Sequence, residues 1–364
     1  MNYLYHLYIE FLAKHGISQF FGDITFYIIP LLIIFCALLV IILALVLAER
    51  KLLGFFTQRK GPNRVGLWGI LQTIADAFKL LCKENVTPQG VDRFLFNLAP
   101  ILIFVPVMVV LGLIPYSSEF MFMNFSTNLL IYVVFAAFPV LCILLGGWAS
   151  NNKYSLIGAM RNVAQVLAYE LPIAFTLLGI MVLSSSMNLG QITLAQSSTN
   201  GIFGWYWIPC TIGFVIMFIC ILAELNRCPF DLPEAESELI CGYNTEYSGM
   251  RFAMFYLSEY GMLFANALFL SILFLGGYLS PFGKYLALMI FPETISGIII
   301  YFEQACWLLF KAFIIIFAVI WIRATLPRMA SFDLLKFSWS VLLPISILNF
   351  FLMVVIKYLG GLYA

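Results

Sequence analysis

With 364 residues, 63% of them hydrophobic and only 10% charged, the chain falls far short of the roughly 25% charged residues that cover a soluble domain. Lipid must therefore cover much of its surface, and a mean hydropathy of +1.01 excludes a soluble enzyme. A formal net charge of +1 leaves no electrostatic footprint for nucleic acid. The fold class expected is an all-α integral membrane protein.

In chain order, residues 1–25 read as an N-terminal interfacial segment. Leu4, Leu7, Tyr8, Phe11 and Leu12 recur at helical spacing, while Glu10, Lys14 and His15 interrupt the run. The basic start and small-residue cleavage site of a signal peptide are not found there. Residues 26–364 read as one polytopic domain without a repeat or a Ser/Gly linker. A span needs about 20 apolar residues, which predicts about eight transmembrane helices, near 26–48, 95–116, 128–149, 165–186, 207–225, 253–279, 303–323 and 339–359. Two of the loops between them are long, 49–94 and 225–252. Of the 19 basic residues, 15 fall in the odd-numbered loops, among them Arg50, Arg161, Arg227, Arg251, Arg323 and Arg328, while Lys311 falls within a span. The positive-inside rule puts those loops on the matrix or cytoplasmic side and both termini outside.

The first loop opens on Glu49-Arg50-Lys51 and continues to a stretch, Gly66 to Glu84, with Leu67, Ile70, Leu71, Ile74, Phe78 and Leu81 on one helical stripe. Such a helix lies flat at the interface; beside a basic loop it suits a long apolar ligand with a polar head, and stop-transfer residues meeting lipid headgroups are the plainer reading. Carboxylates in spans say more, because one at the bilayer centre costs roughly 2.5–3.5 kcal/mol on insertion scales and faces a bundle interior or water. Glu170, Glu224, Glu259 and Glu303 are such acids, and a snorkelling or ion-paired acid near a helix end is the alternative for each. Pro172 cannot donate to the carbonyl of Ala168, leaving a free acceptor and an expected kink beside Glu170. The fifth loop gathers Glu224, Asp231, Glu234, Glu236, Glu238 and Glu246 around Arg227, interleaved with Pro229-Phe230 and Leu232-Pro233. Glu234, Glu236 and Glu238 stand too close to ionise independently, so mutual repulsion and partial burial should raise their pKa values and let them pass protons; a solvated acidic loop is the rival reading.

Other chemistries fail at this level. The eight cysteines include no C-x-x-C pair, and the two histidines, His6 and His15, lie outside every span, so no metal site and no haem ligation is expected. A phosphate loop is absent, and so is a histidine base for a nucleophile. A quinone-like or lipid-like ligand, a proton path, or both remain.

Three stretches, AERKLLGFFTQRKGPNRVG (48–66), KYSLIGAMRNVAQVLAYELP (153–172) and AELNRCPFDLPEAESELICGYNTEYSGMRFAMFYLSEY (223–260), resemble the signature regions of one family, and WIRATLPRMASFDLL (321–335) is a looser match. The family is subunit 1 of respiratory complex I, called the H subunit in bacteria, part of the proton-pumping NADH:ubiquinone oxidoreductase. The resemblance implies a membrane-arm subunit that forms much of the ubiquinone chamber and couples quinone reduction to proton translocation. It implies Glu49, Arg50, Asp76, Arg161, Arg227 and Asp231 as the quinone-facing set. It implies Glu234, Glu236 and Glu238 as an acidic funnel continued into the membrane by Glu224, Glu170 and Glu259 as proton relay. No redox cofactor is expected on this chain; ubiquinone is the substrate, and FMN and iron–sulfur clusters are expected on partner subunits. Implied partners are the peripheral-arm subunits at the quinone site, small antiporter-like membrane-arm subunits and lipids. At 328–330 the chain reads Arg-Met-Ala where many members carry more basic or aromatic residues, which leaves the seventh loop's contacts open. A heel subunit of a membrane-bound hydrogenase complex, or an independent proton-coupled transporter, are the alternatives. The richness in Phe (36) and Tyr (18) favours the mitochondrial inner membrane over a bacterial plasma membrane.

Overall fold

A computed structural model describes residues 19–197, 201–233, 236–283 and 293–362, and among them there are helices and turns but no strand. Helix α1 (Gln19–Phe56) runs without a break into the first loop, where α2 (Gln72–Cys82) follows a single 3-10 turn. Residues 1–18, most of the expected interfacial segment, lie outside the described residues. The second crossing is made of α3 (Arg93–Leu102) and α4 (Phe104–Leu113), and the Asp92 carboxylate caps the first by accepting from the Phe94 and Leu95 amides. Then come α5 (Asn128–Ala149), α6 (Lys153–Ser184), the short α7 (Leu189–Ala195), α8 (Thr211–Glu224), α9 (Glu236–Leu239) and α10 (Gly249–Phe274). Finally α11 (Glu293–Thr325) leads to α12 (Ser331–Phe337), a π turn over Ser338–Leu342, and α13 (Leu343–Leu362).

Seven of these stretches are long and apolar enough to cross a bilayer, and α8 is a shorter apolar helix; together they make the eight-helix architecture. At a 1.5 Å rise the 14 residues of α8 span about 21 Å, and the turns of 201–210 complete its passage. Helices α1 and α11 extend beyond the expected apolar runs at both ends, α5 coincides with its run, α6 and α10 start before theirs and end short of them, and α8 lies within its run. Hydropathy sees the part of a helix that lipid surrounds, whereas hydrogen bonding carries the helix on into the headgroup region. The largest departure is α6, expected from 165 and starting at Lys153 under an Asn152 cap. Arg161, read as a loop residue, is therefore two turns inside a helix, and Arg251 likewise belongs to α10.

The loops sort into two ends. Asn151 donates to the Gly90 carbonyl, Asn152 to Glu246, the Val86 amide to Ser248, and the Met329 amide to the Pro229 carbonyl, joining loops one, three, five and seven. At the other end Asn188 donates to the Phe125 carbonyl, the Ser118 amide to Gln304, and the Trp207 amide to the Phe274 carbonyl. Helix α10 is the centre of the bundle. Every residue from Tyr260 to Phe274 is buried, as expected of a helix that is apolar all round, and α1, α4 and α11 pack around it. Helix α6 packs against α5, α8 and α13. It passes through Pro172 as continuous helix, and the carbonyl of Ala168 that the proline leaves free accepts from the Ser338 hydroxyl at 2.6 Å. Near its start Gly158 meets loop five backbone to backbone. A Cβ there would lie 2.9–3.0 Å from Gly242 Cα, the Pro233 carbonyl and the Tyr243 amide, so the closeness of α6 to the acidic loop depends on the missing side chain.

Candidate functional site

Three long helices and loop five converge at the end that carries the odd loops. Glu49 comes from the last turns of α1, Glu259 and Tyr260 from α10, Arg323 from the end of α11, and Arg227 from the loop after α8. Arg227 is 4% exposed, and its Nη1 donates to both Glu49 oxygens, at 2.8 and 3.0 Å. Its Nε lies 2.7 Å from Glu259 Oε1, and its guanidinium sits 4.6 Å above the Tyr260 ring. Arg323 donates to the same Glu49. Two carboxylates and two guanidiniums thus neutralise one another, with Arg227 and Glu49 buried and Arg323 reaching in from the exposed side, and buried charges of this kind persist only when paired. Glu259 accordingly sits in an ion pair, the plainer of the two readings open for it in the sequence.

Deeper in the bundle the carboxylates lose their cations and gain space. A cavity of about 50 Å³ lies between Glu259 and Glu224, bordered also by Asn162, Asn226, Ser258 and Asn266. A second, of about 30 Å³, lies between Glu224 and Glu170, with Tyr132, Tyr169, Met217 and Asn266 around it. Glu224, at the end of α8, borders both. Asn266 is turned toward it, because its Oδ1 accepts from the Tyr132 hydroxyl at 2.7 Å while its Nδ2 lies 3.4 Å from Glu224 Oε2. Gln165 of α6 ties this region to loop five, donating to the carbonyls of Ala223 at 2.7 Å and Phe230 at 2.9 Å. The arrangement brings Glu49, Arg227, Glu259, Glu224 and Glu170 into one succession.

The remaining site residues stand nearer the surface. Arg50 meets Asp76 at 2.5 Å, and Gln72 donates to the same carboxylate, fixing α2 to the end of α1. Burial raises the Asp76 carboxyl, but the hydrogen bonds from Arg50 and Gln72 and the charges of Arg50 and Lys79 together outweigh it and hold the group below the usual carboxylate range. Asp231 meets Arg328 at 3.0 Å, which answers the open question of what the seventh loop touches. Burial pushes the Asp231 carboxyl above its usual range although Arg328, Arg323 and Arg227 pull the other way. Arg161 meets Glu238 at 2.5 Å, a pair with the glutamate half exposed; this links the residue expected at the chamber with one expected in the funnel. Glu234 and the side chain of Glu236 lie outside the described residues. The stripe of α2 and its turn is uncovered, with Leu67 83% and Phe78 63% exposed. No three His, Cys, Asp or Glu side chains gather as a metal site would among the described residues.

Sequence reasoning passed over Arg323, Tyr260, Asn162, Gln165 and Asn266. The signal was present for Gln165 and Asn266, since Asn or Gln inside an apolar span packs inward and bonds across helices, whereas Asn162 lay outside the expected run.

The chain matches the family described as NADH dehydrogenase over residues 29–354. The H subunit of NADH-quinone oxidoreductase from Bacillus cytotoxicus is 46% identical over 315 residues, covering 86% of this chain and 89% of the relative. The protein of the same name from Geobacillus sp. (strain WCH70) is 45% identical over 328 residues, 89% of this chain and 92% of that one, and the one from Bacillus thuringiensis is 45% identical over 315 residues, 86% and 89%. With the match running from the first crossing to the last and taking in every charged group of the cluster, this chain belongs to the H-subunit family of NADH-quinone oxidoreductase.

Proposed function

We propose that this chain forms much of the ubiquinone chamber of a proton-pumping NADH:ubiquinone oxidoreductase and couples quinone reduction to proton translocation. The observation that carries the reading is the succession of Glu259, Glu224 and Glu170 joined by two cavities, directly behind the paired cluster of Glu49, Arg227 and Arg323. Electrons would come from FMN and iron–sulfur clusters on partner subunits. Reducing a quinone to a quinol takes up two electrons and two protons, so negative charge builds near the headgroup before protons arrive. Such charge competes with Glu49 and Glu259 for the guanidinium of Arg227. A Glu259 that loses its cation in a low-dielectric site must take up a proton, because an unpaired buried charge is costly. The proton deficit is then felt by Glu224 and Glu170 across the cavities, and from Glu170 by neighbouring membrane subunits. The uncovered apolar stripe of α2 suits the quinone tail, while Arg50, Asp76, Arg161, Arg227 and Asp231 belong to the polar side. Glu234, Glu236 and Glu238 gather protons at the mouth.

Placing the odd-numbered loops on the matrix or cytoplasmic side remains part of this reading, as does the compartment. The relatives are bacterial and lend no support to a mitochondrial inner membrane. A hydrogenase-type heel subunit or an independent transporter would share the intramembrane acids, but the names of the relatives favour the quinone reductase. Glu224→Gln or Glu238→Gln should depress quinone-linked NADH oxidation in the intact complex, the loss of one proton-transfer group being worth on the order of 10²-fold, while NADH:ferricyanide activity stays intact. Normal quinone turnover and pumping in both variants would refute the assignment.

A further inference from the structure

Asn162 of α6 is 0% exposed, and neither Oδ1 nor Nδ2 of its amide has a hydrogen-bond partner among the described residues. An amide carries two N–H donors and an acceptor with two lone pairs, and leaving all of them unmet inside a protein is disfavoured. Full burial means that no partner subunit can reach this side chain from outside. What it faces is the cavity of about 50 Å³ between Glu259 and Glu224. A water needs about 10–15 Å³ of such space and two to four polar partners, so the cavity holds about three or four waters. Its other polar borders are largely committed. The Ser258 hydroxyl donates to the Ile103 carbonyl at 2.9 Å, and Asn266 is held between Tyr132 and Glu224. Asn162 is the uncommitted amide on that wall.

We propose that Asn162 anchors a cluster of waters that connects Glu259 to Glu224, and so acts as a positioning residue for proton transfer between them. The transfer balances without any other reactant. Each water accepts a proton from one side and releases a different one to the other, so one carboxyl loses a proton, the next gains one, and no water is consumed. The inference rests on the proposed function for the direction and use of that proton, but the presence of the waters stands apart from it.

The test uses the intact complex. A density map of the wild-type complex that resolves ordered water should show at least two waters within hydrogen-bond distance of the Asn162 amide; a dry cavity would overturn the proposal. Asn162→Leu removes the amide and fills the space. It should slow quinone-linked turnover about tenfold, raise the H2O/D2O rate ratio of that turnover and leave NADH:ferricyanide activity unchanged. Asn162→Asp, which can still hold water, should restore most of the rate and the ratio, whereas a merely structural defect would leave the ratio unmoved. Wild-type turnover and isotope ratio in Asn162→Leu would sink the idea. Should that variant fail to assemble, the wild-type map and Asn162→Asp decide. An inactive Glu224→Gln beside a normal Asn162→Leu would refute the water anchor and leave the functional reading standing; normal turnover and pumping in both Glu224→Gln and Glu238→Gln would refute the functional reading, with the map still deciding on the waters.

Discussion

Replacing Arg227 by methionine removes the cation that joins two helices and leaves two carboxylates to be satisfied by what remains. Gone with the guanidinium are its hydrogen bonds to Glu49 at 2.8 and 3.0 Å, its ion pair with Glu259 at 2.7 Å, and its stacking over Tyr260 at 4.6 Å. Taking one partner from a buried ion pair costs about 3–5 kcal/mol, mostly through the stranded charge. Glu49 keeps Arg323, so the burden falls on Glu259, and the missing stacking adds about 0.5–2 kcal/mol. Adding Glu259→Gln removes the stranded charge and should recover about 2–3 kcal/mol of that loss, which at about 1.4 kcal/mol per tenfold is on the order of 10²-fold. The assay is the rate at which this subunit is lost from the detergent-purified complex at a fixed temperature, followed on native gels. Arg227→Met should lose it on the order of 10²-fold faster than wild type or more, and the double variant should be markedly slower than the single one. If Arg227→Met were as durable as wild type, or the double variant no more durable than the single, the cluster would not be held by this arginine.

Two further outcomes follow from charges elsewhere. Asp231, raised by burial, binds its proton more readily in the folded chain than in the unfolded one. Its contribution to stability is therefore full at acid pH and is lost as pH rises through the raised native value. Asp231→Asn lacks this loss, so its durability relative to wild type should improve with pH across that window, and a flat difference would contradict the linkage. Lys311 of α11 is 5% exposed, and its Nζ donates to the carbonyls of Leu275, Gly277 and Leu279, each at 2.7 Å, beneath the Trp205 ring at 4.0 Å. Lys311→Met leaves three carbonyls of the turns after α10 unmet inside the protein, where each costs about 1–3 kcal/mol, and Lys311→Arg should not restore them because a planar fork cannot point three donors inward as an ammonium does. Both variants should be depleted from assembled complex, and wild-type retention of Lys311→Met would show that other donors meet those carbonyls.

The crossings were legible because lipid imposes a length on apolar runs, and the pairing of odd with odd loops followed from counting them. Their ends were less so: nothing in the composition near 153–164 says that α6 starts at Lys153, since an Asn cap and a glycine packed against loop five decide it locally. Glu170, Glu224 and Glu259 were visible as acids where acids are costly, and the freed Ala168 carbonyl was visible from Pro172 alone. That Ser338 would meet it was not, because the two are 170 residues apart in sequence. Separations of 178 and 274 residues likewise hid the pairing of Glu49 with Arg227 and Arg323. Glu49 and Arg227 were expected at the site and Arg323 only as a loop cation, but which arginine meets which glutamate is settled by how α1, α10 and α11 pack, and hydropathy carries no information on that.

Burial alone does not separate the working charges of this chain from the fixed ones. Lys311 is almost as buried as Glu49, 5% against 3% exposed, yet it has three donors and three carbonyls at 2.7 Å, so a change of partner is not open to it without losing bonds that lipid cannot replace. Glu49 stands between two arginines and is nearly as constrained. Glu224 has a 3.4 Å contact to Asn266 and space on both sides, so the charged and neutral forms of its carboxyl differ little in the bonds they forfeit. A group answers a distant change in charge when its two protonation states are close in free energy. On the proposed function that condition falls where a cavity replaces a partner, which would put the relay at Glu224 and Glu170 and the latch at Arg227.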